Sequence, residues 1–128
     1  RWVNRPYQDW ENVARLDSKK TYHSRIFFAL QLLIHIRKQN QVFADSNNLV
    51  LYDGHNPHVF IYERTSDHDE GVLVVSNFSE SLQAIAETSL GPYGSLAKPK
   101  DLISSRATKF IEGKLELKPY QLFWLSKA

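Results

Sequence analysis

From residue 48 onward the chain breaks into short apolar runs of period two, separated by turn formers at close intervals, and few folds accommodate that pattern. "NLVLY" and "HVFIYER" flank the turn-rich "DGHNP", and "GVLVVSNF" follows the acidic tip "SDHDE". "SLQAIAE", "KDLIS", "TKFIE", "KLELK" and "PYQLFWLSK" complete the set. Alternate side chains of a strand face opposite ways, so in "KLELK" Leu115 and Leu117 point inward and the charges outward. Eight candidate strands at this spacing predict an antiparallel sandwich or barrel, not a parallel sheet with crossover helices.

Residues 1–43 follow a helical period instead. Pro6 suits an early helical position, and Trp10, Val13 and Ala14 make a short apolar face. Asp17 and Ser18 are capping candidates for a long helix running to about Asn40, with Arg37 and Lys38 in its last turn, where cations favour the helix dipole. Within it "IFFALQLLIHI" would rise only about 16 Å, roughly half of what a bilayer core needs. Ile26, Ala29, Leu30, Leu33 and Ile36 form one stripe, while Phe27, Phe28, Leu32 and Ile34 occupy other faces. A helix apolar nearly all round has to be covered on more than one side, since each large side chain left in water forfeits roughly 1.5–3 kcal/mol.

The 128 residues suffice for one domain with a real core. A formal charge of +2 gives no field that would argue for nucleic acid or an anionic membrane. The absence of cysteine excludes disulfides, thiol catalysis and cysteine-ligated zinc. No signal peptide is visible and no methionine is present, so the chain reads as processed, trimmed or part of a longer one, with bacterial cytoplasm and secretion both open.

Familiar catalytic constellations are missing. All five glycines fall near turns rather than in a phosphate loop, and "GPYGSLA" lacks the spacing of a nucleophile elbow. His55 and His58 bracket a proline in a predicted hairpin and read as exposed turn histidines rather than a zinc pair; His23 and His35 lie in the long helix. "SDHDEG" lacks the calcium-loop pattern and reads as a charged hairpin tip. The formal sequon at Asn77 reads as structural. Asp9, Glu11 and Asp17 read as surface acids near helix starts rather than as a glycosidic carboxylate pair. Trp2, Tyr7 and Trp10, with Arg1 and Arg5 as donors, suit either stacking on sugar rings or packing. No catalytic residue, metal site or cofactor is predicted in this chain.

Four stretches carry a family resemblance: "RWVNRP" at 1–6, "LLIHIRKQNQVF" at 32–43, "VLVVSNFSE" at 72–80 and "LELKPYQLFWL" at 115–125. They resemble the C-terminal end of α-amylase-superfamily enzymes (glycoside hydrolase family 13), in the amylosucrase branch. There the corresponding patterns read "RWVHRP", a helix ending in "IRK-x-N-x-x-F", "FGNFSE" and "L-x-L-x-PYQ-x-x-WL". The resemblance implies a mainly β fold with N-terminal helices. Residues 1–45 would be the end of a (β/α)8 barrel with its last helix, and residues 46–128 a C-terminal antiparallel β-sandwich. It implies further that the parent is a retaining enzyme: an Asp attacks the anomeric carbon of sucrose, a Glu protonates the fructosyl oxygen, and the glucosyl unit passes to α-1,4-glucan or water. Both carboxylates would lie upstream, so this chain alone is not expected to be an enzyme. Its partner would be the missing barrel, with sucrose and α-glucan bound only through the parent. Arg1 aligns with an arginine that in the family helps hold the bound glucosyl ring, and is the single substrate-binding candidate. Asn4 stands where the pattern has His, which leaves polymerase, sucrose hydrolase and a related glucosidase open.

Overall fold

A computed structural model describes residue 7 and residues 9–18, 21–44, 47–66, 71–96 and 98–127. The chain divides into two compact units, Arg1–His35 and Ile36–Ala128.

In the first unit, helix α1 (Trp10–Ala14) starts at Asp9, whose carboxylate accepts from the amides of Glu11 at 3.0 Å and Asn12 at 3.3 Å. An aspartate here satisfies amides that the first turn leaves without partners. Helix α2 (Tyr22–Gln39) begins later than the sequence predicts. Arg15–Ser18 form a separate 3-10 turn, and the cap of α2 is Thr21. Its hydroxyl accepts from the Ser24 amide at 3.1 Å while Ser24 Oγ accepts from the Thr21 amide at 3.1 Å, a reciprocal box in which serine replaces the usual glutamate. Ser24 is the one buried residue described before position 36, while Tyr22, Ile26, Phe27, Leu30, Leu32 and Ile34 are all exposed. Apolar side chains on several faces of α2 thus remain in water. None of the described helices is long and apolar enough to cross a membrane.

The second unit is the antiparallel two-sheet structure. The strands are β1 (Leu49–Tyr52), β2 (Val59–Thr65), β3 (Gly71–Asn77), β4 (Gln83–Ala86), β5 (Lys100–Asp101), β6 (Arg106–Ala107), β7 (Lys114–Leu117) and β8 (Leu122–Ser126). One sheet has the order β1-β2-β3-β8-β5-β6, and β4 pairs with β7 in the other. The core between them joins Val59, Ile61, Leu73, Val75 and Leu125 to Ile85, Leu115 and Leu117. Leu115 and Leu117 point inward, as the alternation of "KLELK" requires. β3 is buried on both faces. On its outer side Val74 lies between Tyr62 and Trp124, and the Trp124 ring packs on Phe43 with centroids 4.9 Å apart.

Two features depart from the sequence expectation. "TKFIE" is not a strand: its Ile111 forms an isolated bridge with Lys114 across a turn in which Glu112 and Gly113 both have positive φ. That backbone hand matches the twist of an antiparallel pair and closes the chain on β7. The strand that pairs with β5 is Arg106–Ala107 instead, because the Asp101 carboxylate binds the amides of Ile103 and Ser104 and turns the chain early. The second difference is a 3-10 segment, Glu87–Tyr93, within the β region; it buries Leu90 and Tyr93 against the core. Gly91 inside it has φ of 55°, and a Cβ there would strike the Tyr52 ring.

Candidate functional site

The most chemically unusual position is Glu63. It follows Val59 and Ile61 in phase on β2, so the strand period that sends those side chains into the core sends a carboxylate there too. Glu63 is only 4% exposed. A buried carboxylate is tolerated when its oxygens are saturated by donors, and here three converge. Tyr52 on β1 donates to Oε2 at 2.7 Å, Tyr93 from the 3-10 segment donates to Oε1 at 2.8 Å, and Lys127 Nζ lies 3.2 Å from Oε1. The Lys127 ammonium also stands 5.3 Å from the centre of the Tyr93 ring. Gly71 completes the enclosure: a Cβ there would meet the Tyr93 hydroxyl and lie 2.7 Å from Glu63 Oε1.

Burial pushes the Glu63 carboxyl up, but the hydrogen bonds from Tyr52, Tyr93 and Lys127, with the lysine charge, outweigh it and hold the group below its ordinary range. Burial, then the hydrogen bond to Glu63 and its negative charge, push the Tyr52 phenol up to about 12. Tyr93 is driven upward by the same causes in the same order. An ionised carboxylate with all its donors in place, beside phenols held protonated, is neither a general acid nor a free nucleophile at neutral pH. It is a tie between four segments. Sequence reasoning missed it, although the signal was present: a glutamate in phase with two inward apolar residues of one strand.

A second cluster joins two of the recurring motifs. Asn77, at the end of β3, is buried; its side-chain amide donates to the carbonyls of Ser81 at 2.8 Å, Lys118 at 2.9 Å and Leu117 at 3.3 Å, and Oδ1 accepts from the Ser79 amide and hydroxyl, each at 2.8 Å. The Tyr120 amide donates to the Ser79 carbonyl at 3.2 Å, and Gln121 Oε1 accepts from the Lys118 amide at 2.8 Å. "NFSE" and "KPYQ" are thus two halves of one clasp that fastens the end of β3 to the chain leaving β7. The sequon asparagine is structural, with its amide wholly engaged in the fold.

The other candidates scatter. His55 and His58 are exposed in a loop organised by Asp53 and Asn56, whose side chains accept from the amides of His55 at 2.8 Å and His58 at 2.9 Å. Among the described residues no group of three metal-ligating side chains comes together. Glu11 lies in the first turn of α1, and Tyr7 and Trp10 are exposed. Arg1, Trp2, Asn4 and Arg5 lie outside the described residues, as does most of the acidic tip at 67–70.

Comparison with known proteins speaks to this architecture. No curated protein matches the chain. Among solved structures it is similar to AmyP in complex with maltose, with TM-score 0.57 and 15% identity over 73% of this chain and 18% of that one. A variant of AmyP in complex with maltotriose overlaps equally, at TM-score 0.57, 15% identity, 73% of this chain and 19% of the other. Amy13B of Eubacterium rectale overlaps less, at TM-score 0.43 and 17% identity over 62% and 15% of the two chains, too little to bear on the fold. The present chain therefore spans less than a fifth of AmyP, and what it shares with AmyP is a fold. That fold is mainly antiparallel β with N-terminal helices. The family model of the amylosucrase C-terminal domain matches residues 51–126, from within β1 to the end of β8, and the chain belongs to that family.

Proposed function

We propose that this chain is the C-terminal part of a retaining, sucrose-acting glucosyltransferase or glycosidase of the amylosucrase type, and that it is itself a non-catalytic stabilising domain. The match of residues 51–126 to the amylosucrase C-terminal domain carries this reading. The bonding of the buried acids and amide supports the non-catalytic part: Glu63, Asn77 and Asp101 are each engaged in internal hydrogen bonds. The exposed apolar faces of α2 support the proposal that residues 1–45 are the end of a (β/α)8 barrel, with its last helix, and that residues 46–128 are the sandwich. In this reading Arg1 holds the glucosyl ring once the barrel is present, since a guanidinium offers fixed, permanently charged donors.

The test is fructose release from sucrose. The 128-residue chain is expected to release none, whereas the same chain joined to its upstream coding sequence is expected to turn sucrose over. Activity of the short chain alone would sink the proposal. The exposure of Trp10, at 74%, favours a second reading, a stand-alone sandwich that binds glycan or a partner protein. It requires saturable binding of an α-glucan to this chain, lost on Trp10→Ala; a flat titration removes it.

A further inference from the structure

The stretch "DGHNP", between β1 and β2, belongs to neither cluster described above, yet it sets chemically matched groups side by side. Asp53–Gly54 is the one place in the chain where an aspartate or asparagine precedes glycine. The Cγ of an aspartate lies within reach of the amide nitrogen of the next residue, and a bond between them closes a five-membered ring. A side chain on that next residue obstructs the closure, and glycine has none.

The glycine is fixed by packing. A Cβ at position 54 would lie 2.7 Å from Ile61 Cδ1 and 3.3 Å from Ile85 Cδ1, and both isoleucines are core residues with no room to retreat. Among the described residues no turn or loop hydrogen bond engages the Gly54 amide, so no acceptor competes for its nitrogen. The Asp53 carboxyl, by contrast, is held in place. Oδ1 accepts from the His55 amide at 2.8 Å, and this Asx turn folds the carboxyl over the Gly54 peptide. Oδ2 lies 3.3 Å from His55 Nδ1, with both side chains more than three-quarters exposed. His55 has φ of 51°, and its backbone amide and its ring address the same carboxyl.

We propose that Asp53 is a self-modification site, at which the main chain isomerises to β-linked aspartate with the help of His55. The Gly54 nitrogen attacks Asp53 Cγ. The His55 N–H steadies the charge that develops on Oδ1, as a donor fixed at a developing oxyanion does. The imidazolium gives its Nδ1 proton to Oδ2, which leaves as water with a second proton from the Gly54 amide. Water then adds to the Asp53 main-chain carbonyl carbon and breaks its bond to the Gly54 nitrogen. The chain now runs through Cγ, a free α-carboxylate remains, and the proton released returns to the imidazole. One water leaves and one enters, so the product has the mass of the starting chain and carries one more methylene in its main chain directly after Tyr52. The reaction is internal to this loop, needs no partner and does not depend on the enzymatic reading above.

The test is to age the 128-residue chain at physiological temperature and neutral pH and to map its peptides for isoaspartate. Isoaspartate is expected to accumulate at Asp53 about tenfold faster than at Asp9 or Asp101, which precede Trp10 and Leu102. A form of the same peptide lighter by one water is the cyclic intermediate. His55→Asn keeps the backbone amide and a residue type that tolerates left-handed backbone, and removes only the imidazole. It is expected to slow the accumulation by about threefold or more, with thermal unfolding unchanged. No excess of isoaspartate at Asp53 over Asp9 and Asp101, or equal rates in the wild type and His55→Asn, would each overturn the proposal.

Discussion

Glu63 and Tyr93 stand 30 positions apart in sequence, yet the Tyr93 hydroxyl donates to Glu63 Oε1 at 2.8 Å in the interior of the sandwich. Tyr52 and Lys127 reach the same carboxylate from β1 and from the end of β8. One side chain of β2 therefore ties together four parts of the chain, and its loss is expected to be felt in all of them.

Glu63→Ala should lower unfolding free energy by about 2–4 kcal/mol, because it strands two phenols and leaves a void where the carboxylate stood. Lys127→Ala should cost less, about 0–1 kcal/mol, because that ammonium is partly exposed and screened by water. Urea denaturation of the two variants measures the difference, and equal losses would contradict the assignment of the tie to Glu63.

The same cluster fixes the sign of the pH dependence. The Glu63 carboxyl is held below its ordinary range in the folded chain, so its contribution is fully present above the unfolded value, about 4.3, and is lost as pH falls through the folded value. Tyr52 is shifted the other way, to about 12, so its contribution is present below the ordinary tyrosine value, about 10, and is lost as pH rises toward 12. Thermal unfolding scanned across pH should show both losses in the wild type. Glu63→Gln should flatten the acid limb, and an unchanged acid limb would count against the lowered carboxyl.

Asn77→Asp preserves the shape of the side chain but removes the donors to the carbonyls of Ser81, Leu117 and Lys118. A destabilisation of about 2–4 kcal/mol is expected, similar for Asn77→Ala, since unmet buried acceptors dominate both. A loss below about 0.5 kcal/mol in chemical denaturation would show that the clasp is dispensable.

Amide exchange should separate the two units. β3 is buried on both faces and should exchange only by global unfolding. The described part of α2 before Ile36 buries only Ser24 and should exchange faster by orders of magnitude in the isolated chain. Equal protection of α2 and β3 would mean that the helix is covered after all.

How far the sequence could be read depended on whether local pattern or distant contact decided each element. Leu115 and Leu117 point inward as their alternation predicts, because period two is a property of the strand alone. "TKFIE" failed because its alternation competes with a turn set by Asp101 and by the positive φ of Glu112 and Gly113, which no hydrophobic pattern records. The start of α2 differs for a similar reason: Asp17, Ser18 and Thr21 are all competent cap residue types, and the box that opens α2 is the one between Thr21 and Ser24. The Asn77 motif was recognisable as a string, but its role as a clasp required Lys118 to come beside it.

By itself the sequence determined the class: antiparallel β after residue 48, helices before it, no cysteine chemistry, and motif strings that place the chain in one family. These follow from side-chain period and composition, which act along the chain. The tertiary structure decided where polar groups are spent and which surfaces stay open. Burial of Glu63 is affordable only because Tyr52, Tyr93 and Lys127 arrive from distant segments to supply its donors. Leu49 and Leu51 are exposed only because β1 falls at the sheet's edge, and sheet order is set by how strands pair across space.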